Sequence, residues 1–338
     1  MSSAPTFADI APDATWLVQA LDANGGVARV VRMDRQAYRA ASFLDDRMLH
    51  QHPEAHIVPW QLISDSVTPG DRCDARWIFH IGHVGSTLVA RLLGELPDVL
   101  SIREPRFLRD VAMLAPHEQR HYIGLSAKLF SRTFESGETA LVKATSFVSE
   151  IADDLVPERQ RALFLYATPL NYIGSILAGA NSAQELAALE PSRRARMKGR
   201  VDFPAPRNPA EAAAAAWACE MTSLEAAHAR MAGRTVIWAD FDAMLDDMPS
   251  ELEQIAKKLD FDTQGLPAIA AGPLMRRYSK ATEYDYSPSL RRDLIGEACK
   301  ANRADIDRAI AMLQSAAQSS TALAHALRRT ECIESSKS

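Results

Sequence analysis

The chain has 338 residues, 47% hydrophobic and 24% charged, an ordinary globular composition with ample length for a large core. Its formal net charge of −5 and pI of about 6.0 exclude a global basic field for gripping nucleic acid. No stretch approaches the roughly 18 apolar residues of a membrane span, since the run Ala212–Ala216 is short and lies between Glu211 and Glu220.

Met1–Ala14 has no basic segment followed by an apolar one, so no signal peptide is expected there. Trp16–Leu21 and Val27–Val31 flank Asn24-Gly25-Gly26, a hairpin signal. A helix is expected over Gln36–Met48. His50, His52 and His56 follow, but Pro53 and the polar context read as a loop and not as a metal site. Pro69-Gly70-Asp71 makes a turn. Residues 1–70 are therefore read as an N-terminal extension.

Beyond it, short buried strands alternate with helices. Strands are expected over Trp77–Ile81, Val99–Ile102, Thr139–Val142, Ala162–Tyr166 and Thr235–Trp238. Leu88, Val89, Leu92, Leu93 and Leu96 recur at helical spacing after the first strand. Asn208, Pro209 and Glu211 open a helix as N-cap, first-turn proline and capping-box acid. Pro249 opens another, with Leu252, Ile255, Ala256 and Leu259 inward, and residues 290–317 are helical. Such alternation implies an α/β fold over residues 71–318, with a parallel sheet covered by helices on both faces. Residues 319–338 read as a polar tail. Cys73, Cys219, Cys299 and Cys332 stand far apart without Cys-x-x-Cys spacing, as reduced thiols of a cytoplasmic protein would.

The first strand of this unit runs directly into Gly82-His83-Val84-Gly85-Ser86-Thr87 and then into a helix. Glycines let the backbone turn tightly so that several N–H groups aim at one centre. The helix N-terminus adds partial positive charge, and Ser86 and Thr87 add hydroxyls. A side chain at Gly85 is expected to intrude where a phosphate approaches. The loop is not a Walker A motif, because only His83 and Val84 separate the glycines and no lysine precedes the Ser-Thr pair. A strand-to-helix turn with no ligand remains open on the loop alone.

The loop and the apolar helix after it resemble the 5′-phosphosulfate loop of the sulfotransferase family. Ile102-Arg103-Glu104-Pro105-Arg106-Phe107-Leu108 looks like the strand-end segment of heparan-type and tyrosyl-protein sulfotransferases. Leu163–Ser175 resembles the 3′-phosphate segment, and Val236–Leu245 a late family strand. The resemblance covers roughly residues 75–290. It implies a P-loop-type fold and sulfuryl transfer from 3′-phosphoadenosine 5′-phosphosulfate (PAPS), without a metal, to a small-molecule hydroxyl or amine. It also implies Glu104 as catalytic base, with Gly82, His83, Val84, Gly85, Ser86, Thr87 and Ser175 at the donor. His83 stands where the family has lysine or arginine, and Ala167 where it has the 3′-phosphate arginine. Arg277 and Lys280 are the nearest cationic substitutes for the missing C-terminal motif. A non-catalytic nucleotide- or anion-binding module of the same fold is the alternative.

Lys143 ends its strand and is a candidate for charge stabilisation on the transferring group. A protonated His83 would donate to the leaving phosphate. The blander readings are a salt bridge from Glu104 to Arg103 or Arg106, a snorkelling Lys143 and a turn-filling His83. His117-Glu118-Gln119-Arg120-His121 matches the zinc-hydrolase pattern H-E-x-x-H, although Pro116 sets it at a helix start and Arg120 sits where such helices pack. Arg193, Arg194, Arg196, Lys198, Arg200 and Arg207 form a basic segment, read as a solvated helix face or a cationic lid.

Overall fold

The computed structural model describes residues 5–179, 182–276 and 287–335. Strands β1 (Trp16–Asp22), β2 (Val27–Arg32) and β3 (Ala55–Pro59) form an antiparallel sheet, with β2 in the middle. The first two make the expected hairpin. The third lies in the stretch read as a histidine-bearing loop, and His56 sits on it against the Trp16 ring.

The five expected strands are β4 (Arg76–His80), β5 (Val99–Arg103), β6 (Thr139–Lys143), β7 (Arg161–Tyr166) and β8 (Thr235–Asp240). They form one parallel sheet in the order β5-β6-β4-β7-β8. Every residue of β4 and β5 is buried, and successive side chains point to opposite faces, so helices cover both sides. β4 is central, and the chain leaves it through the glycine loop into the helix Ser86–Leu93. The strand order reverses about β4, which puts the loop at the switch point where open α/β sheets bind ligands.

Leu17, Val30 and Val31 of the N-terminal sheet, with Trp60 of the helix Trp60–Asp65 that follows it, share one buried cluster with β4–β7. The expected helix over Gln36–Met48 divides. It spans Arg35–Ala40, and a 3-10 turn follows at Asp46–Gln51. Tertiary hydrogen bonds override the helical pattern. Leu44 donates its N–H to the Arg103 carbonyl at 2.7 Å and accepts from Arg106 N–H at 3.3 Å. The buried Arg103 guanidinium binds the carbonyls of Tyr38 and Ala41 at the helix end. The chain is thus drawn out of helix and laid beside β5.

The stretch 290–317 is two helices, Pro288–Ala301 and Arg303–Ala317, parted at Asn302. Residues read as a polar tail instead include a helix over Thr321–Ser335. Leu323 and Ala326 are wholly buried, and Arg329 pairs with Glu225 while stacking on Trp238. Ala322, Ala324 and Ala326 are three of its apolar positions, so its amphipathicity is muted in the sequence.

The basic segment lies on the helix Ser182–Met197 and the turn after it. Arg196 and Arg200 pair with Glu150, and Arg193 and Arg196 with Glu220 of the helix Pro209–Arg230. These arginines are spent on internal carboxylates. They are neither a solvated face nor a lid, although Arg194 and Arg207 remain exposed.

Candidate functional site

A cavity of about 810 Å³ opens at the carboxyl edge of the sheet, over the loop Gly82–Thr87. Gly82, His83 and Gly85 are left-handed, with φ of 81°, 55° and 60°. His83 carries the cost that a Cβ brings in this region, about 1–2 kcal/mol. The first-turn N–H groups of the helix Ser86–Leu93 have no intrahelical partners by geometry and face the loop's concavity. The space beside Gly82 is open, with no atom within 4 Å of where a Cβ would stand.

Gly85 corrects the expectation. An ideal Cβ there would stand 1.9 Å from the Phe241 ring, so the protein's own aromatic requires the glycine. Phe241 follows β8, where Asp240 caps the short turn Phe241–Met244.

At the end of β5, Glu104 is buried and left-handed, φ 52°, with its N–H on the Lys143 carbonyl at 2.7 Å. Neighbouring parallel strands bring the two side chains together, and the Lys143 ammonium hydrogen-bonds Glu104 Oε1. Thr145 Oγ1 lies 3.4 Å from Glu104 Oε2, and Arg47 Nη2 3.9 Å. Glu104 is therefore paired with Lys143 and not with Arg103 or Arg106. Lys143 is wholly buried behind it, neither snorkelling nor in the position expected for contact with a transferring group.

Sequence reading missed His80, the last residue of β4. Its Nδ1 accepts the Gly82 N–H at 3.0 Å, which leaves the ring proton on Nε2, 3.8 Å from Glu104 Oε1. His83 points the other way, with Nε2 3.4 Å from Glu185 Oε2 on the helix Ser182–Met197. Ser175 lines the cavity, but its hydroxyl donates to the Tyr172 carbonyl at 2.8 Å and must rotate to donate to a ligand. Ala167 is buried, and its carbonyl accepts from the Trp217 indole at 2.9 Å.

Arg277 and Lys280 lie outside the described residues. A different cation, Arg291, lines the cavity. It donates to Asp242 at 2.7 Å and to the His83 carbonyl at 3.3 Å, with its guanidinium 5.3 Å from the Phe241 ring centre. It lies on the helix Pro288–Ala301, one turn past the Ser287 cap, a local signal that carries no hint of the loop 208 residues away.

The H-e-x-x-H stretch assembles no metal centre. His121 Nε2 accepts from the Trp60 indole at 2.8 Å, and Glu118 caps its own helix through the Ala115 N–H at 3.2 Å. Among the described residues no group of three His, Cys, Asp or Glu side chains could hold a metal ion. Nor is any described helix long and apolar enough to cross a membrane.

No family model matches the chain, and no curated protein matches it. Solved structures with a similar arrangement include the sulfotransferase domain from the curacin biosynthetic pathway. It is 12% identical, with 65% of this chain and 86% of that one covered and a TM-score of 0.43. The sulfotransferase domain of the Synechococcus PCC 7002 olefin synthase is 12% identical, with 64% and 82% covered and a TM-score of 0.35. Mouse sulfotransferase SULT7A1 complexed with PAP is 10% identical, with 75% and 88% covered and a TM-score of 0.40.

Proposed function

We propose that this chain is a sulfotransferase that moves a sulfuryl group from PAPS to a hydroxyl or amine acceptor. One observation carries the reading: a strand–loop–helix anion cradle and a lysine-held carboxylate meet in a single cavity at the switch point of the sheet. The cradle fits a 5′-phosphosulfate through the open side of Gly82, the first-turn amides and hydroxyls of Ser86 and Thr87, and Arg291 in place of the loop lysine. Toward a 3′-phosphate the cavity supplies Ser175 and Ser182.

When bound, such a donor supplies an electrophilic sulfur whose bond to the bridging oxygen breaks as the acceptor oxygen or nitrogen bonds to sulfur. The electron pair of the broken bond stays on the 5′-phosphate. Glu104 takes the acceptor's proton, and the hydrogen bond from Lys143 holds the carboxylate aimed, a positioning role. Arg291 and the first-turn amides receive the charge gathering on the phosphate. His83, held toward Glu185, closes one side of the loop.

Thermal shift tests the reading. Adenosine 3′,5′-bisphosphate at 100 times its dissociation constant stabilises the native state by about 2.7 kcal/mol, and it should raise the midpoint equally with and without EDTA. A midpoint that rises with ATP-Mg²⁺ but not with the bisphosphate removes the proposal. Ala167 in place of the motif's arginine favours the second reading, a module that binds the nucleotide and transfers nothing. That reading predicts the same shift with no sulfated product from any acceptor.

A further inference from the structure

The sheet order divides the cavity in two. On the β7–β8 side stand Ser175, Ser182, Phe241 and Arg291, and on the β6–β5 side stand Glu104, Thr145, Ser146 and Arg109. Phe43, Asp45 and Arg47, from the segment drawn out of helix beside β5, complete the second side. If the donor occupies the cradle and Glu104 is the base, as proposed above, the second side is where the acceptor lies.

The charges of that side do not cancel. Glu104 is matched by Lys143. Asp45 is shared by two arginines: Arg47 at 2.6 Å and Arg109 at 3.7 Å. Burial pushes the Asp45 carboxyl up, but hydrogen bonds from Arg47 and the charges of both arginines outweigh it and hold the carboxyl below its ordinary range. One carboxylate between two guanidiniums leaves one positive charge. Arg47 is stacked 3.5 Å over the Phe43 ring, and Arg109 lies 5.9 Å from the Phe147 ring centre. The Arg109 guanidinium donates no hydrogen bond among the described residues, and the side chain is 42% exposed. Nearby Asp46 adds no net charge, because Arg29 and Arg106 both pair with it and Arg106 also meets Asp110.

We infer that the acceptor is an anionic hydroxyl compound whose carboxylate, or an equivalent anion, is held by Arg109 and Arg47 while its hydroxyl faces Glu104. Arg47 Nη2 stands 3.9 Å from Glu104 Oε2, so the anion lies within a few bonds of the accepting hydroxyl. Arg47, stacked on Phe43, spends Nε and Nη2 on Asp45 and offers the anion its Nη1, while the half-exposed Arg109 brings the guanidinium fork that matches a carboxylate bidentately.

The experiment uses the full chain saturated with adenosine 3′,5′-bisphosphate. Calorimetry measures binding of 3-hydroxybenzoate, mandelate and glucuronate, each beside its methyl ester, to wild type and Arg109→Gln. At least one acid is expected to bind about tenfold more tightly than its ester. Arg109→Gln should erase that ratio while leaving the affinity for the bisphosphate and the ester unchanged. Esters binding as well as their acids, no acid binding at all, or a ratio that survives Arg109→Gln each overturn the inference while leaving the donor site standing. Failure of the bisphosphate to bind overturns the donor reading and this inference with it.

Discussion

Glu104 and Lys143 form a unit, and their variants must be read together. Glu104→Gln keeps the side-chain size but cannot take a proton, so turnover should fall about 10²- to 10⁴-fold with bisphosphate affinity nearly unchanged. The substitution also leaves the Lys143 ammonium buried without its counter-charge, and breaking such a pair costs on the order of 3–5 kcal/mol. A lower melting temperature is therefore expected as well, which alone would confound a loss of activity. The double variant Glu104→Gln/Lys143→Met separates the two effects. It removes the stranded charge, so stability should largely return while turnover does not. If turnover returns with stability, Glu104 acts as a structural carboxylate and the base is elsewhere. At the same scale, Cys219 is buried and its thiol is pushed up to about 12 by desolvation and Glu220. Iodoacetamide at pH 8 should accordingly modify the exposed Cys73 and spare Cys219 in the native state, as peptide mapping would show.

Between elements, the contact that shapes the site is the Phe241 ring against Gly85. Gly85→Ala inserts a Cβ into that ring at a left-handed position. Overpacking of this kind costs about 1–3 kcal/mol and the backbone about 1–2 kcal/mol more. Gly85→Ala/Phe241→Ala should be less destabilised than the sum of its single variants, because the clash is removed with the ring. Additive effects in denaturant titrations would show that ring and loop are not in contact. This pairing also marks what the sequence made legible. The five parallel strands and the loop carry their signals locally, as short apolar runs and glycines beside a helix start, and the structure has them within a residue or two of where they were read. Glu104 is picked out by the family resemblance of its segment together with its place at a strand end. Phe241, Arg291, Arg47 and Arg109 are not. Each reaches the cavity from a different element, and nothing in its own neighbours encodes that convergence. The helix expected over Gln36–Met48 failed for the same reason, since hydrogen bonds from Arg103 and Leu44 across the fold override a helical pattern.

Over the whole molecule, the helix Ser182–Met197 links stability to the site. Its Glu185 meets His83 in the loop, and its far end is tied to the body through Arg193 and Arg196, with Arg200 following. Glu150 is the shared anchor. Burial pushes its carboxyl up, but hydrogen bonds and charge from Arg200, with the charge of Arg196, outweigh burial and hold it below the ordinary 4.5. A carboxyl lowered on folding contributes stability that is fully present above its unfolded value and is lost as pH falls through the folded value. Arg200→Gln removes charge-assisted hydrogen bonds to Glu150 at 2.8 and 2.9 Å. At pH 7 the variant should be less stable by about 1–3 kcal/mol, read as a lower melting temperature. The gap should narrow as pH falls below the ordinary 4.5, because a protonated Glu150 no longer rewards the arginine in wild type. Melting curves of both proteins from pH 7 to pH 3 decide the point. A constant gap across that range would mean that Arg200 stabilises by packing and that Glu150 is not the group that ties this helix down.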